Sequence, residues 1–290
     1  MSEIASALTY VDVETQVLSA ANGVDYTYRA TGASDGSPLV TLQHFRGNLD
    51  NWDPALIDAL ARDRRVITFD NRGVAASSGT TPSSVAQMAL DAIEFIDALG
   101  AGEVDLLGFS IGSFVAQEIA LIRPSTVRKV VLASSAPQGA SGMHGWAPEV
   151  IDAVGKPETS GEEYLGVFFA DSESSRSAGQ AVAGRVFGAR TVDRDAPTSW
   201  QTRLAQYDAV CRWGQPNHSL LERVSAIGQP VLVTAGDTDP MILPRYSYLL
   251  AGLIPRARLK IYPDSAHGFL FQHHAEFATD VDAFLSSSAS

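Results

Sequence analysis

Val104-Asp105-Leu106-Leu107-Gly108-Phe109-Ser110-Ile111-Gly112-Ser113-Phe114-Val115 is the stretch from which the architecture follows. Val104 to Leu107 read as a buried strand, and Phe114 to Ala120 read as a helix. Between them a serine has glycine two residues away on either side. A turn from strand to helix in so few residues leaves no room for side chains at the flanking positions. Gly108 and Gly112 remove the Cβ atoms that would collide, and the Ser110 hydroxyl is left at the open end of a sheet. A helix start capped by serine needs one such residue and no glycine on both sides, so simple capping explains less of the pattern.

Outward from that turn, strand-like and helix-like segments alternate. Val11–Leu18 and Val24–Thr31 read as an opening antiparallel pair joined at Asn22-Gly23. Leu39 to Leu42 is a short apolar run, followed by a loop and a helix near Pro54 to Ala61, then a strand over Arg65 to Phe69. Val85, Met88, Ala89, Ala92, Ile93, Ile96 and Leu99 recur at helical spacing, with Ser83 or Ser84 as cap and Gly100 as stop. A strand over Val127 to Ala133 follows the elbow helix. The order resumes after residue 223 with strands at Pro230 to Ala235 and Arg258 to Tyr262 and helices at Pro244 to Leu253 and Ala275 to Leu285. Such alternation calls for an α/β protein whose mostly parallel sheet carries helices on both faces. Regularity lapses from Ser134 to Arg223, which reads as an insertion.

Composition narrows the function. The chain has 290 residues, 45% hydrophobic and 19% charged, with a formal net charge of -12. That is a sizeable core and an acidic surface, which disfavours nucleic-acid phosphates and anionic lipid as partners. No apolar run is long enough to span a bilayer. A single cysteine, Cys211, excludes an intrachain disulfide and reads as a small packing residue. Met1 to Ser6 lacks the features of a secretion signal, so a cytoplasmic location is expected, and Ser286 to Ser290 reads as a frayed tail. The expected partner is a small-molecule substrate, and a homo-oligomer is left open. No His-Glu-x-x-His, paired-cysteine or carboxylate-loop pattern suggests a metal, and no dinucleotide fingerprint suggests a cofactor.

A serine hydroxyl needs a base, and the base needs an orienting group. Gly236-Asp237-Thr238-Asp239-Pro240 follows one late strand, and Pro263-Asp264-Ser265-Ala266-His267-Gly268 follows the next. Parallel strands carry their functional loops at their carboxyl ends. Serine, acid and histidine therefore belong to one sheet edge, in the chain order Ser, Asp, His. With Leu42-Gln43-His44-Phe45-Arg46-Gly47 and Asp70-Asn71-Arg72-Gly73, these segments resemble the α/β-hydrolase superfamily from Thr9 to Leu285. Within it the chain is most similar to cofactor-free haloperoxidases and related esterases and perhydrolases, whose elbow also reads Gly-Phe-Ser. The resemblance implies an α/β-hydrolase fold with an eight-stranded sheet. Residues 1–134 and 224–290 would form the core, and 135–223 a helical cap. It makes Ser110 the nucleophile, His267 the base and Asp239 the acid. The family's acid falls three positions beyond the glycine, which leaves Asp237 to tighten the turn. His273, His274, His144 and His218 are set aside, because only His267 follows a strand and precedes a glycine.

The oxyanion hole is expected from the backbone N–H groups of Ile111 and Phe45. Relatives carry His-Gly before the donor residue. Here His44 stands where that glycine lies, so His44 and Arg46 are placed at the mouth of the pocket, with bracing of the loop as their alternative role. Arg72 reads as structural. Aromatics crowd the insertion, and Trp146, Phe168 and Phe169 are expected to line an apolar ceiling over the serine. These residues together imply hydrolysis of a small or medium hydrophobic carboxylic ester or lactone through an acyl-enzyme, with no cofactor. Rival readings are haloperoxidase or perhydrolase chemistry, carbon–carbon bond hydrolysis or cofactor-free oxygenation on the same fold, and a ligand-binding protein without turnover.

Overall fold

The structure is a computed structural model that describes residues 9–33 and 35–287. In chain order its elements begin with β1 (Gln16–Ser19), β2 (Asp25–Thr31), β3 (Leu39–Leu42), α1 (Pro54–Leu60), β4 (Val66–Phe69), α2 (Val85–Leu99), β5 (Val104–Phe109), α3 (Ile111–Ile122) and β6 (Val127–Ala133). The β6–β7 insertion contributes α4 (Pro148–Val154), α5 (Gly161–Phe168), α6 (Glu173–Gly188), α7 (Trp200–Trp213) and α8 (His218–Glu222). Then come β7 (Val231–Gly236), α9 (Arg245–Leu253), β8 (Ala257–Tyr262), α10 (Phe269–Gln272) and α11 (His274–Ser286).

Eight strands form one sheet in the order β1-β2-β4-β3-β5-β6-β7-β8. Only the β1–β2 and β2–β4 pairs are antiparallel; every pairing from β4 to β8 is parallel. Every residue of β3, β4, β5 and β7 is buried, as expected for parallel strands covered on both faces. Helix α2 begins with the Ser84 side chain accepting from the Gln87 N–H and ends at Gly100, whose φ of 64° suits a left-handed cap.

The opening strand is shorter than its apolar pattern predicts. Residues 11–15 make no ladder. The Tyr10 N–H donates to Asp58 (2.7 Å), and its hydroxyl, inside the core, donates to the Leu49 carbonyl (2.9 Å). The Val11 and Val13 carbonyls accept from Arg190 of the segment after α6, at 2.8 Å each. Side chains satisfy this backbone where a neighbouring strand was expected to. At the other end, Ser286 closes α11 and Ser287 is clasped rather than frayed. Lys129 Nζ donates to the carbonyls of Phe284 (2.8 Å), Leu285 (3.1 Å) and Ser287 (2.5 Å). The expectations placed on residues 1–6 and 288–290 lie outside the described residues.

Candidate active site

Ser110 sits between β5 and α3 with φ 57° and ψ -124°. That conformation is rare for a residue with a side chain and costs of order 1–3 kcal/mol, so the surroundings must hold it. A Cβ on Gly112 would lie 2.1 Å from the Leu42 carbonyl oxygen, and one on Gly108 would lie 2.4 Å from the Gly112 oxygen. Backbone packs against backbone at both flanks. The Ser110 N–H donates to the Ala133 carbonyl (2.9 Å), and below it the Ser113 hydroxyl donates to Ser135 (2.7 Å).

Asp239 and His267 arrive on the loops that follow β7 and β8, the two strands beyond β6. Asp239 follows β7 by three residues and is 1% exposed. One of its oxygens accepts the N–H groups of Met241 (2.9 Å) and Ile242 (3.0 Å); the other lies 2.8 Å from His267 Nδ1. A carboxylate only accepts, so His267 carries a proton on Nδ1, which in the neutral ring leaves Nε2 as the lone pair. That Nε2 has no partner among the described residues. The ring packs 5.0 Å from Phe109, the residue just before the serine, and lines the same cleft as His44 and Phe168. No hydrogen bond joins Ser110 and His267; bonds between nucleophile and base commonly tighten only when substrate is bound.

Asp237 is engaged elsewhere. Its carboxylate accepts the N–H groups of Asp264 and Ser265, both at 3.1 Å, and so ties the acid-bearing turn to the histidine loop. His273 and His274 reach the carbonyls of Pro263 and Phe271, and His144 and His218 are exposed. Arg72 pairs with Asp91 at 3.5 Å.

The loop after β3 meets the first turn of α3, because the Leu42 and Gln43 carbonyls abut Gly112. Within it the His44 N–H is taken by the Gln43 side chain, that of Arg46 by Gln206 and that of Gly47 by the His44 carbonyl. The Phe45 N–H donates to no acceptor among the described residues, and neither does that of Ile111. Two backbone donors are thus left open, one on the loop after β3 and one on the residue that follows the serine.

A cleft of about 670 Å³ opens beside this machinery. His44, Phe45, Arg46, Asp50, Tyr164, Phe168, Phe187, Met241 and His267 line it, together with residues 157–161, Arg194, Asp195, Pro197 and Thr198. Two of the expected ceiling residues are elsewhere. Helix α5 stops at Phe168, and Phe169 turns extended, so consecutive side chains diverge. Phe168 faces the cleft while Phe169 packs on Gly179 of α6. Trp146 lies behind the wall, 4.9 Å from the Phe45 ring and 5.2 Å from Tyr207. Arg46 lines the cleft but its guanidinium is occupied. It donates to the Lys156 (3.0 Å) and Pro157 (2.7 Å) carbonyls and fastens the oxyanion loop to the insertion. Tyr164, stacked 4.0 Å from Phe168, was the missed lining residue. Its only signal was position, one turn before Phe168 on α5, which requires the helix boundaries to be known.

A family model of the alpha/beta hydrolase fold matches residues 38–274. The chain belongs to the α/β-hydrolase fold family. It is similar, at 30% identity over 86% of its length and 84% of the other, to a poly(3-hydroxyalkanoate) depolymerase from Ectopseudomonas oleovorans. A non-heme chloroperoxidase of Streptomyces lividans is 25% identical over 93% of this chain and 99% of that protein. Among solved structures, an alpha/beta hydrolase fold protein from Chitinophaga pinensis superposes with a TM-score of 0.91 at 41% identity, covering 97% of this chain and all of that one. The match to the polyketide synthase ThaQ of Burkholderia thailandensis, 27% identical, takes in 80% of this hydrolase-fold chain but 11% of that protein. Among the described residues no helix is long and apolar enough to cross a membrane, and no group of three or more His, Cys, Asp or Glu side chains is placed to hold a metal ion.

Proposed function

We propose that this α/β hydrolase is a serine hydrolase acting on small or medium hydrophobic carboxylic esters or lactones. The observation that carries the reading is the bare Nε2 of His267, backed by Asp239 at 2.8 Å and packed against the residue preceding Ser110. Ser110 Oγ attacks the carbonyl carbon as its proton passes to His267 Nε2, and the imidazolium formed is stabilised by the Asp239 carboxylate. The carbonyl oxygen becomes an oxyanion held by the N–H groups of Phe45 and Ile111. The proton on His267 goes to the leaving alkoxide, and an acyl ester of Ser110 remains. Water then gives a proton to His267 and its oxygen to the acyl carbon, releasing acid and regenerating serine.

The aromatic side of the cleft, with Arg46 and Arg194 occupied by carbonyls and Asp50 paired with Arg29, supports an uncharged acyl group. We assign residues 135–223 as the cap over it. The acidic net charge of -12 supports a small-molecule substrate in the cytoplasm over nucleic acid or membrane. A second reading follows from the similarity to the chloroperoxidase. Hydrogen peroxide replacing water at the acyl-enzyme would transfer the acyl group to a peroxide oxygen, giving a peracid and free serine.

The test is turnover of p-nitrophenyl butanoate by wild type and Ser110→Ala, with labelling by a fluorophosphonate probe. Wild type should hydrolyse the ester and take the label. Ser110→Ala should lose about three orders of magnitude or more in kcat and not be labelled. A wild-type protein that is folded yet neither labelled nor active would end the reading.

A further inference from the structure

The cleft holds a second histidine that the triad does not use. His44 is 5% exposed, and its Nδ1 lies 2.9 Å from the Phe45 carbonyl oxygen. A carbonyl only accepts, so Nδ1 carries the proton and Nε2 is left as a lone pair. No group among the described residues donates to that Nε2. Burial, the largest influence, pushes the imidazole down to about 3, against a modest opposing pull from the Phe45 carbonyl, and His267 adds repulsion. The ring is therefore neutral at any working pH, a pure acceptor on the cleft side. It has no carboxylate behind it and cannot be driven as a base in the way His267 is.

The two imidazoles share their neighbours. Phe168 lies 5.3 Å from His44 and 5.4 Å from His267, edge-on to both, and Phe109 lies 5.2 Å and 5.0 Å from them. Both Nε2 atoms are buried without a partner among the described residues, and Phe168 packs beside both rings, so a substrate bound in the cleft meets the two together. One acceptor then serves the serine. The other faces whatever the acyl group brings. An unsubstituted alkyl ester offers only carbon and acceptor oxygens, which would leave the His44 lone pair buried and unpaired at a cost. The Tyr164 hydroxyl, stacked on the far side of the same Phe168 ring, is likewise buried without a partner. The chamber thus holds a bare acceptor and a bare hydroxyl that do not satisfy one another.

We propose that His44 Nε2 accepts a hydrogen bond from a hydroxyl on the acyl chain, so that the preferred substrates are esters of hydroxy acids. This rests on the serine-hydrolase reading above and narrows it. A hydroxyl both donates and accepts, which suits a site presenting His44 as acceptor and Tyr164 as a further polar partner. The depolymerase relative is named for a polyester of 3-hydroxy acids, whose chain ends carry such a group.

The experiment compares kcat/KM for p-nitrophenyl butanoate with that for its 2-hydroxy and 3-hydroxy analogues, in wild type, His44→Phe and His44→Gln. Wild type should favour one hydroxylated ester by at least about tenfold, the discrimination a buried unpaired acceptor imposes. His44→Phe should bring that ratio down to about one, through loss on the hydroxy ester. His44→Gln, which keeps an acceptor oxygen, should restore part of it. Thermal melts establish that each variant is folded; should His44→Phe fail to fold, the wild-type ratio and His44→Gln still decide. Turnover of butanoate without a hydroxyl preference, or equal loss on all esters in the variants, overturns the assignment of His44 and leaves the hydrolase reading standing. No turnover of any ester, together with no fluorophosphonate labelling, removes both.

Discussion

The sheet and the insertion above it are held together by different forces. In the sheet layer, eight of the fifteen residues of α2 are buried, almost all apolar, and four strands are buried throughout. In the insertion, α6 buries only four of sixteen residues, and two of those are Ser175 and Gly179. Val182 and Val186 of α6 join the common apolar core, as Phe168 and Trp213 of its neighbours do, and a set of polar ties adds to that smaller apolar seat. Arg185 makes a two-point contact with Asp53 at 2.8 and 2.6 Å, Arg190 reaches the Val11 and Val13 carbonyls, and the Thr198 hydroxyl donates to the Arg46 carbonyl at 2.6 Å. Apolar burial is non-directional and tolerates small shifts, while these ties are directional and few. The difference teaches that Ser110, Asp239 and His267 stand on a platform held almost wholly by apolar burial, while α6 in the roof is positioned as much by single directional contacts as by its few buried side chains.

Breaking the platform should have the largest effect. Gly112→Val puts a Cβ against the Leu42 carbonyl, a backbone atom that cannot step aside without moving β3. We expect a loss on the order of 3 kcal/mol or more and a melting temperature lower by roughly 10 °C, or no folded protein at all. A melt within a few degrees of wild type would show that the elbow is not as tight as described.

Breaking a tie should be milder and local. Arg185→Leu strands the fully buried Asp53 carboxylate, which also caps α1 by accepting from the Ala55 N–H at 3.0 Å. The expected cost is on the order of 2 kcal/mol. Hydrogen exchange should place the change in α6, with faster amide exchange there, while β5 keeps its protection. Equal loosening of α6 and β5 would mean that platform and roof unfold as one.

The smallest effect concerns a seam of acids between the two layers. Burial raises Asp70 well above its ordinary value, and neighbouring Asp195 raises it further; Asp195 is itself raised by burial and by Asp50. Asp195 belongs to the insertion, and its N–H donates to Asp50 at 2.7 Å. A raised carboxyl binds protons in the folded protein at a pH where the unfolded chain has released them. Stability is therefore lost as pH climbs from the unfolded value of about 4 through the raised folded values, and levels off above them. Asp195→Asn removes one member of the pair. Its melting temperature should fall less between pH 5 and pH 8 than that of wild type. Parallel curves for the two proteins would place the proton elsewhere.

The parts of the molecule that read clearly from sequence are those where local pattern and chemistry coincide. Gly108 and Gly112 around Ser110 declare a backbone crossing that the structure realises at van der Waals limits. The family resemblance, with its acid three positions beyond the glycine, selected Asp239 over Asp237, and in the structure Asp239 meets His267 Nδ1 while Asp237 takes the N–H groups of Asp264 and Ser265. His267 was separable from five other histidines by the strand before it and the glycine after it. Phe45 as a free N–H donor followed from its place beyond β3, although the closing of its neighbours' N–H groups by Gln43, Gln206 and His44 depends on a residue as far as 160 positions away.

Other features were invisible for stated reasons. Val11 to Thr15 have a strand's pattern, yet a long-range contact with Arg190 satisfies their carbonyls instead of a ladder. Phe168 and Phe169 are alike as letters and face opposite ways, because a helix ends between them. Trp146 braces the wall rather than lining it, Arg46 is spent on the carbonyls of residues 156 and 157, and Tyr164 reaches the cleft only because α5 begins at Gly161. Periodicity and motif spacing describe neighbours along the chain, and for the sheet and the placing of Ser110, Asp239 and His267 that is enough, since each is set by the turn it sits on. The cleft's lining and the charge state of its second histidine arise where separate segments meet. Those contacts come from directional bonds between residues far apart in the chain, and no local pattern encodes them.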